Sequence, residues 1–241
     1  MIGNRCDGDD GLSNYELMAE FFDRRVGGYE EHMQETLPAF DEFYSSVAEQ
    51  IPATGEPLSI LDLGCGTGLE LDFIFARVPN ARVTAVDLSS EMLARLKARL
   101  ERAWYGPRVE IAQGSYLTMP FRAGGFDCVV SVQTMHHFTP DVKLGLYTRI
   151  AHALKAGGMY IEGDYVVPPD EERSLLARYA ETVKSLRANG TIGEGELVDG
   201  KYHIDIPLSV QSQVAILRQA GFADVEVVFE QGAAAVFRAD L

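Results

Sequence analysis

The sequence predicts an α/β fold, a mostly parallel sheet with helices on both faces, and three stretches carry that prediction. Ile60-Leu61-Asp62-Leu63-Gly64-Cys65-Gly66-Thr67-Gly68-Leu69-Glu70 reads as a buried strand running into a glycine turn and then a helix. Glycine takes positive φ and carries no Cβ, so such a turn lets a ligand lie against the backbone. Val83-Thr84-Ala85-Val86-Asp87-Leu88-Ser89 is a second apolar run. It ends in a carboxylate about twenty residues after the last glycine, where nucleotide-binding α/β folds hold ribose hydroxyls. Phe126 to Val132 is almost wholly apolar, as a central strand covered on both faces must be. The glycine spacing is G-x-G-x-G. A dinucleotide fingerprint would be G-x-G-x-x-G and a triphosphate loop would end in Gly-Lys-Ser/Thr, so nicotinamide oxidoreduction and nucleotide hydrolysis are disfavoured.

In chain order, residues 1–12 carry Gly and Asp with little apolar content and are expected to be disordered. Ser13 to Gln50 shows helical spacing through Leu17, Phe21, Phe22, Met33, Leu37, Phe40, Phe43, Tyr44 and Val47, with a hinge at Gly27-Gly28. This predicts two helices forming an N-terminal cap over 13–50. Pro52 to Pro57 is a linker, Leu58 to Leu63 the first strand and Thr67 to Arg77 the first core helix, its free N-terminal amides facing the glycine turn. Ser89 or Ser90 caps a helix running to Ala103, with Glu91 favourable in its first turn. Leu93, Leu96 and Leu100 give that helix an apolar stripe, and Arg95, Arg99 and Arg102 read as a solvated face.

Arg108 to Gly114 is the third strand. Gln133 to Phe138, after the fourth, lies at the carboxyl end of the sheet, where open α/β folds place ligands. Asp141 to Lys155 is a helix stopped by Gly157-Gly158, and Met159 to Val167 is strand five. Pro168-Pro169 breaks the alternation; Asp170 to Asn189 reads as a charged helix and Gly190 to Pro207 as a glycine-bearing loop. Residues 168–207 are thus an insertion placed to act as a lid or substrate wall. Leu208 to Ala220 is the last helix, and Val225 to Phe229 with Ala233 to Phe237 make a terminal hairpin turning at Gln231-Gly232. One domain over 13–241 is the expected organisation.

The formal charge is −15 in 241 residues, with a pI near 4.7. That balance disfavours a nucleic-acid partner, whose binding depends on Lys and Arg displacing counterions. Cys6, Cys65 and Cys128 lie far apart and suggest neither a disulfide framework nor a zinc spacing. No apolar stretch is long enough to span a bilayer, and Met1 to Gly11 is polar and acidic, unlike a signal peptide. The expectation is a soluble cytoplasmic protein with no membrane partner.

The stretch Leu61-Asp62-Leu63-Gly64-Cys65-Gly66-Thr67-Gly68 resembles the first motif of the class I S-adenosylmethionine-dependent methyltransferases. The resemblance continues at Val86-Asp87-Leu88-Ser89, at Phe126-Asp127-Cys128-Val129-Val130-Ser131 with His136-His137-Phe138, and at Leu154-Lys155-Ala156-Gly157-Gly158, covering about residues 57–165. It implies a Rossmann-like seven-stranded sheet with the last strand antiparallel, S-adenosylmethionine as cofactor, and methyl transfer to a small-molecule acceptor. Cofactor-binding positions implied by it are Asp62, Gly64, Cys65, Gly66, Thr67, Gly68, Asp87, Leu88, Met92, Gly114, Ser115, Tyr116, Ser131 and Gln133, with Tyr29 facing the cofactor from the cap. Where the family often shows Gly-Asp after strand three, this chain has Gly114-Ser115, with Tyr116 placed to stack on adenine.

Methyl transfer from a sulfonium asks mainly for positioning, since nucleophile, methyl and sulfur must be held in line. A base helps where the acceptor must lose a proton. His136, His137, Asp164 and Tyr165 are the candidates, and the catalytic residue is left unassigned. Adjacent histidines diverge and no carboxylate cluster completes a site, so no metal is expected. Glu162 is read as a buried hydrogen-bonded group. Phe21, Phe22, Tyr29, Tyr179 and Tyr202 fit either an aromatic pocket or plain core.

Two alternatives stay open. Phe22-Asp23-Arg24-Arg25-Val26, Leu186-Arg187-Ala188-Asn189-Gly190 and Ala220-Gly221-Phe222 also resemble the carboxy-S-adenosylmethionine synthase of tRNA wobble-uridine modification. That enzyme holds the added carboxylate with a cationic side chain from between strands five and six, and here only Lys201 lies between Thr191 and Gln213. The other alternative is a non-catalytic cofactor-binding module whose lid region binds a protein partner. A homodimer is one expectation for the oligomeric state.

Overall fold

A computed structural model describes residues 16–196 and 198–241. The reading of residues 1–12 as disordered, and Cys6 with it, falls outside the described residues. Among the described residues, seven strands form one sheet: β1 (Ser59–Leu63), β2 (Arg82–Asp87), β3 (Val109–Gln113), β4 (Phe126–Val132), β5 (Leu154–Tyr165), β6 (Asp224–Gln231) and β7 (Ala234–Asp240). Their order is β3-β2-β1-β4-β5-β7-β6. β1 to β5 are parallel and β7 is antiparallel to both its neighbours. The chain builds outward from β1 to β3 and then returns to β4, so the switch point lies between β1 and β4, where such sheets bind ligands.

Alternation along the central strands sends side chains to two cores. Ile60, Cys128 and Val130 face α3 (Phe40–Glu49), α4 (Leu69–Arg77) and α5 (Ser90–Leu100), packing with Phe43, Val47, Phe75 and Leu96. Leu61, Leu63 and Val129 face α6 (Pro140–Ala153) and α8 (Val210–Gln219), against Leu146, Tyr147, Ile150 and Leu217. The Ser89 hydroxyl accepts from Met92 N–H at 3.1 Å and caps α5.

Four departures from the sequence reading have local causes. The cap holds α1 (Met18–Arg25), a 3-10 turn and α2 (Tyr29–Thr36) ahead of α3, because Pro38 forces Leu37 out of the helical region (ψ 118). Helix α6 ends at Ala153 before the glycine pair is reached, since Leu154 is already extended and pairs with Phe126 in the sheet. The terminal hairpin is longer than expected, since polar residues such as Glu230 and Arg238 continue its ladder. Arg99 is not simply solvated: its guanidinium bridges Glu30 and Asp72, each at 3.1 Å, tying α2, α4 and α5 together. Arg95 and Arg102 are exposed.

The insertion is α7 (Pro169–Ala188) followed by an irregular segment that packs Leu186, Ile192, Val198 and Tyr202 into a small core of its own. This segment clasps the start of the cap: Leu17 bridges Tyr202, Met18 N–H donates to Lys201 O at 2.9 Å, and His203 N–H donates to Glu16 O at 3.0 Å. The cap also docks on α5, where the Asp23 carboxylate accepts from the Ser89 hydroxyl (2.5 Å) and Glu91 N–H (3.2 Å).

Gly163 on β5 leaves room for α3: a Cβ there would sit 2.8 Å from Phe43 Cζ and 2.9 Å from Val47 Cγ2. Gly163→Ala is expected to destabilise the fold by about 1–3 kcal/mol through overpacking. A lowered urea midpoint at unchanged slope checks it.

Candidate functional site

The site starts from how β1 ends. Gly64 and Cys65 both donate N–H to Val86 O, at 2.8 and 3.1 Å, so the turn is strapped to β2. The Asp87 carboxylate completes the strap, accepting from Gly66 N–H through Oδ2 (2.9 Å) and Ser89 N–H through Oδ1 (2.8 Å). Burial raises this carboxyl above its ordinary value, opposed by those N–H donors. Gly64 has φ 75°, and a Cβ there would meet the Thr134 hydroxyl at 2.5 Å. Gly68, at φ 78°, leads the chain into α4.

Above the turn lies a cavity of about 630 Å³. Of the residues expected to hold a cofactor, Tyr29, Gly64, Gly66, Asp87, Leu88, Met92, Ser115, Tyr116 and Gln133 line it. The others do not reach it. Cys65 packs in the core, Gly68 begins α4, Gly114 donates N–H to Asp87 O at 2.9 Å, and Thr67 is buried with its hydroxyl unpaired. Ser131 is turned away, its hydroxyl 2.7 Å from that of Tyr160. Sequence reasoning missed Met18, Ala19, Leu117 and Gly200 on the wall, while Thr134 and Phe138, also there, belong to the loop 133–138 expected at the ligand end of the sheet. Phe22, noted only as one aromatic among several, is there too. Tyr202 belongs to the lid core, and Tyr179 donates its hydroxyl to Asp199.

Buried polar atoms without partners lie on the cavity wall, at Gln133, and off it, at Asp62 and Glu70. Both Asp62 carboxylate oxygens and Glu70 Oε1 lack hydrogen-bond partners, as do both ends of the Gln133 amide. Burial, reinforced by Glu70, pushes Asp62 well above the usual carboxylate range. Burial also pushes Glu70 up to about 7. Gln133 sits at φ 53°, an uncommon conformation for a residue with a side chain. Glu70 was absent from the sequence reading, although it follows the turn directly.

At the lid end the candidate acid-base residues converge. The His136 Nδ1 atom is 2.6 Å from Asp164 Oδ1. Burial pushes this imidazole down, but Asp164 reverses the balance and raises it; Asp164 is lowered in turn. His137, lowered by burial and by His136, lines the cavity with Nδ1 3.1 Å from Asp205 Oδ1, without hydrogen-bond geometry. Tyr165 packs its ring against His136, with centroids 5.1 Å apart. Glu162 accepts from the Tyr147 and Tyr160 hydroxyls at 2.7 and 2.8 Å. The fold brings Asp205, distant in sequence, beside the two histidines, so that one ligand atom from each of the three lies within 4.8 Å of the others.

A sheet of this order, with a G-x-G-x-G turn at its switch point and an acidic tip on the next strand, defines a nucleoside-binding α/β domain. Residues 60–158 match the family described as methyltransferase domain. Across this stretch the chain is similar to the class I S-adenosylmethionine-dependent methyltransferases, and the matched family together with the solved neighbours indicates S-adenosylmethionine as the cosubstrate. Over 91% of its length the chain is 28% identical to a carboxy-S-adenosyl-L-methionine synthase of Wolinella succinogenes, covering 93% of that protein. Over 70% of its length it is 29% identical to the erythromycin 3''-O-methyltransferase of Saccharopolyspora erythraea, covering 51% of it. Human N-acetylserotonin methyltransferase in complex with SAM shares the fold at a TM-score of 0.63 and 17% identity, with 95% of this chain and 60% of that one covered. The chain thus spans less than two thirds of the latter two proteins.

The residues present fit this cosubstrate. It brings an ammonium and a sulfonium, and the buried carboxyls of Asp62 and Glu70, which adjoin one another outside the set of residues lining the cavity, are acceptors that a nearby cation would favour. Each Asp87 oxygen keeps a lone pair for a ribose hydroxyl after serving the backbone.

Between the ordinary carboxylate value and about 7 the free protein holds a proton on Asp62 and Glu70 that unfolded chains would release. Stability therefore falls as pH rises through this window, while a bound cation favours the ionised pair. Affinity for S-adenosylmethionine is expected to rise by up to about tenfold per unit from roughly pH 5.5 to 7. Glu70→Gln should flatten the profile, measured by calorimetry across pH.

Proposed function

We propose that the chain transfers the methyl group of S-adenosylmethionine to a small-molecule acceptor held between the glycine turn and the lid. The carrying observation is the cap: Met18, Ala19 and Phe22 of α1 close over the same cavity that Gly64, Gly66 and Asp87 line. A cavity roofed by apolar side chains suits an acceptor that can be enclosed, and the net charge of −15 argues against a polyanionic one. Relatives whose names carry erythromycin and N-acetylserotonin support the same reading.

When bound, S-adenosylmethionine supplies an electrophilic methyl on a sulfonium. The chain's part is to hold and exclude. Asp87, Leu88, Met92, Ser115 and Tyr116 form the nucleoside side, and Asp62 and Glu70 neutralise the amino-acid side. Gln133, His137 and Phe138 face the acceptor. Catalysis on this reading is mostly positioning in a site closed to water. A cytoplasmic setting is part of the proposal, supported by Cys65 and Cys128, both buried and unpaired.

A second reading, carboxy-S-adenosylmethionine synthesis, is favoured by the nearly full-length match to the Wolinella enzyme. Against it, no Lys or Arg is among the described residues lining the cavity, where an added carboxylate would want a guanidinium.

Mass spectrometry of the nucleoside released on denaturation, followed by a screen of small hydroxyl and amine acceptors, separates the readings. Ordinary cosubstrate or its demethylated product, with acceptor-dependent turnover, is the expected result. A carboxylated nucleoside would replace the first reading by the second, and binding without turnover on any acceptor would leave a binding module. Asp87→Lys, which removes two charge-assisted hydrogen bonds, is expected to weaken cosubstrate binding by about a hundredfold or more.

A further inference from the structure

Beside the cavity of the proposed methyl transfer, three imidazoles and a carboxylate meet. The 3-10 turn Met135–His137 after β4 supplies His136 and His137. The segment after α7 supplies His203 and Asp205. It is pinned to that turn by Ile206 N–H, which donates to His136 O at 2.6 Å. Around the single atom Asp205 Oδ1 lie His137 Nδ1 at 3.1 Å, His203 Nε2 at 3.6 Å and His136 Nε2 at 3.8 Å.

The orientation of these rings is fixed by their surroundings. Asp164 takes the Nδ1 side of His136 at 2.6 Å, which leaves Nε2 turned toward Asp205 at 3.8 Å. A carboxylate behind the non-coordinating nitrogen is the arrangement that metal-binding histidines use. His203 is stacked flat on Phe21, with centroids 3.4 Å apart and planes 9° apart. His137 is 4% exposed and its Nδ1 has no hydrogen-bond partner. That buried orphan is costly unless something satisfies it. One shared proton would serve one nitrogen and Asp205; a cation would serve every donor at once.

We propose that His136, His137 and Asp205, with His203 as a fourth donor, form a site for a divalent transition metal of the zinc, cobalt or iron type. The ligand atoms of the first three all lie within 4.8 Å of one another. Bonds of about 2.0–2.2 Å would draw them together by side-chain adjustment, which Asp205, on the exposed side, can supply. A mixed imidazole and carboxylate set favours these ions over magnesium or calcium, which prefer all-oxygen shells. Three or four protein ligands leave room for one more, the pattern of a site that binds a reactant. His137 belongs to both the cluster and the cavity wall, so a metal here would present its exchangeable position to an acceptor bearing a coordinating oxygen. That last step rests on the methyl-acceptor reading above; the metal site itself does not.

The test uses the full chain freed of metal by chelator. Cobalt is titrated in while visible absorption is followed, with zinc competition measured by calorimetry. One ion per chain is expected, with His137→Ala and Asp205→Asn each weakening binding by at least about tenfold. Asp164→Asn, which acts through His136, should cost about ten- to a hundredfold and shift the cobalt spectrum. His32→Ala, on an exposed face of α2, should change nothing. Cosubstrate affinity kept in Asp205→Asn shows that this variant is folded. Absence of cobalt and zinc binding at about 100 μM, or equal affinity in Asp205→Asn, would overturn the site. Saturable binding lost in both variants supports it even if every acceptor tried fails, a result that would count against the acceptor reading alone.

Discussion

The fold and its site depend on one carboxylate. Asp87 receives the Gly66 and Ser89 N–H groups on its two oxygens, and its own carbonyl receives Gly114 N–H. One residue thereby fixes the glycine turn after β1, the start of α5 and the exit of β3. These three loops leave neighbouring strands of the sheet and would otherwise have no reason to hold a common register. The cap adds to the same point, since Asp23 reaches Ser89 and Glu91 at the end of α5 that Asp87 has already set. An anion at a helix start is favourable in itself, and here the gain also positions the roof of the cavity.

Two buried polar groupings flank the sheet, and the contrast between them separates structure from chemistry. On the α6 and α8 side, Lys143 meets the Gln213 amide at 2.9 Å, and Glu162 Oε2 accepts from Tyr147 and Tyr160, the latter also reaching Ser131. This network links two strands to two helices and makes most of its own bonds, leaving Glu162 Oε1 without a partner. On the cavity side, Asp62, Glu70, Gln133 and His137 keep atoms with nothing to bond. Burying such groups unpaired is unfavourable, so the fold carries there a cost that a cationic, hydrogen-bonding ligand would relieve.

How much of this was legible in the sequence follows from the range of the interactions. The glycine turn, Asp87 and the Ser89 cap are local signals, and the sheet follows from the alternation of strands and helices. Ser131 was misplaced as a site residue because strand periodicity does not say which face carries the ligand, and its side chain serves Tyr160. Met18, Ala19 and Gly200 escaped notice because their place on the wall depends on how the cap and the insertion fold back over the sheet. Asp205 and His203 lie in an irregular segment with no periodicity to read. Their meeting with His136 and His137 is set by backbone bonds such as Ile206 to His136, which leave no trace in composition.

The clasp between the cap and the insertion has a consequence for how this chain can change over evolutionary time. The roof is joined to itself by the Leu17 to Tyr202 bridge and packs around its own small core, while the cosubstrate's half of the cavity is held by the sheet. Effects of substitutions in two regions without shared partners add nearly independently. Roof positions away from the Asp23–Ser89 and Glu30–Arg99 links can therefore accumulate changes, and with them new acceptors, with little effect on the half that recognises the methyl donor.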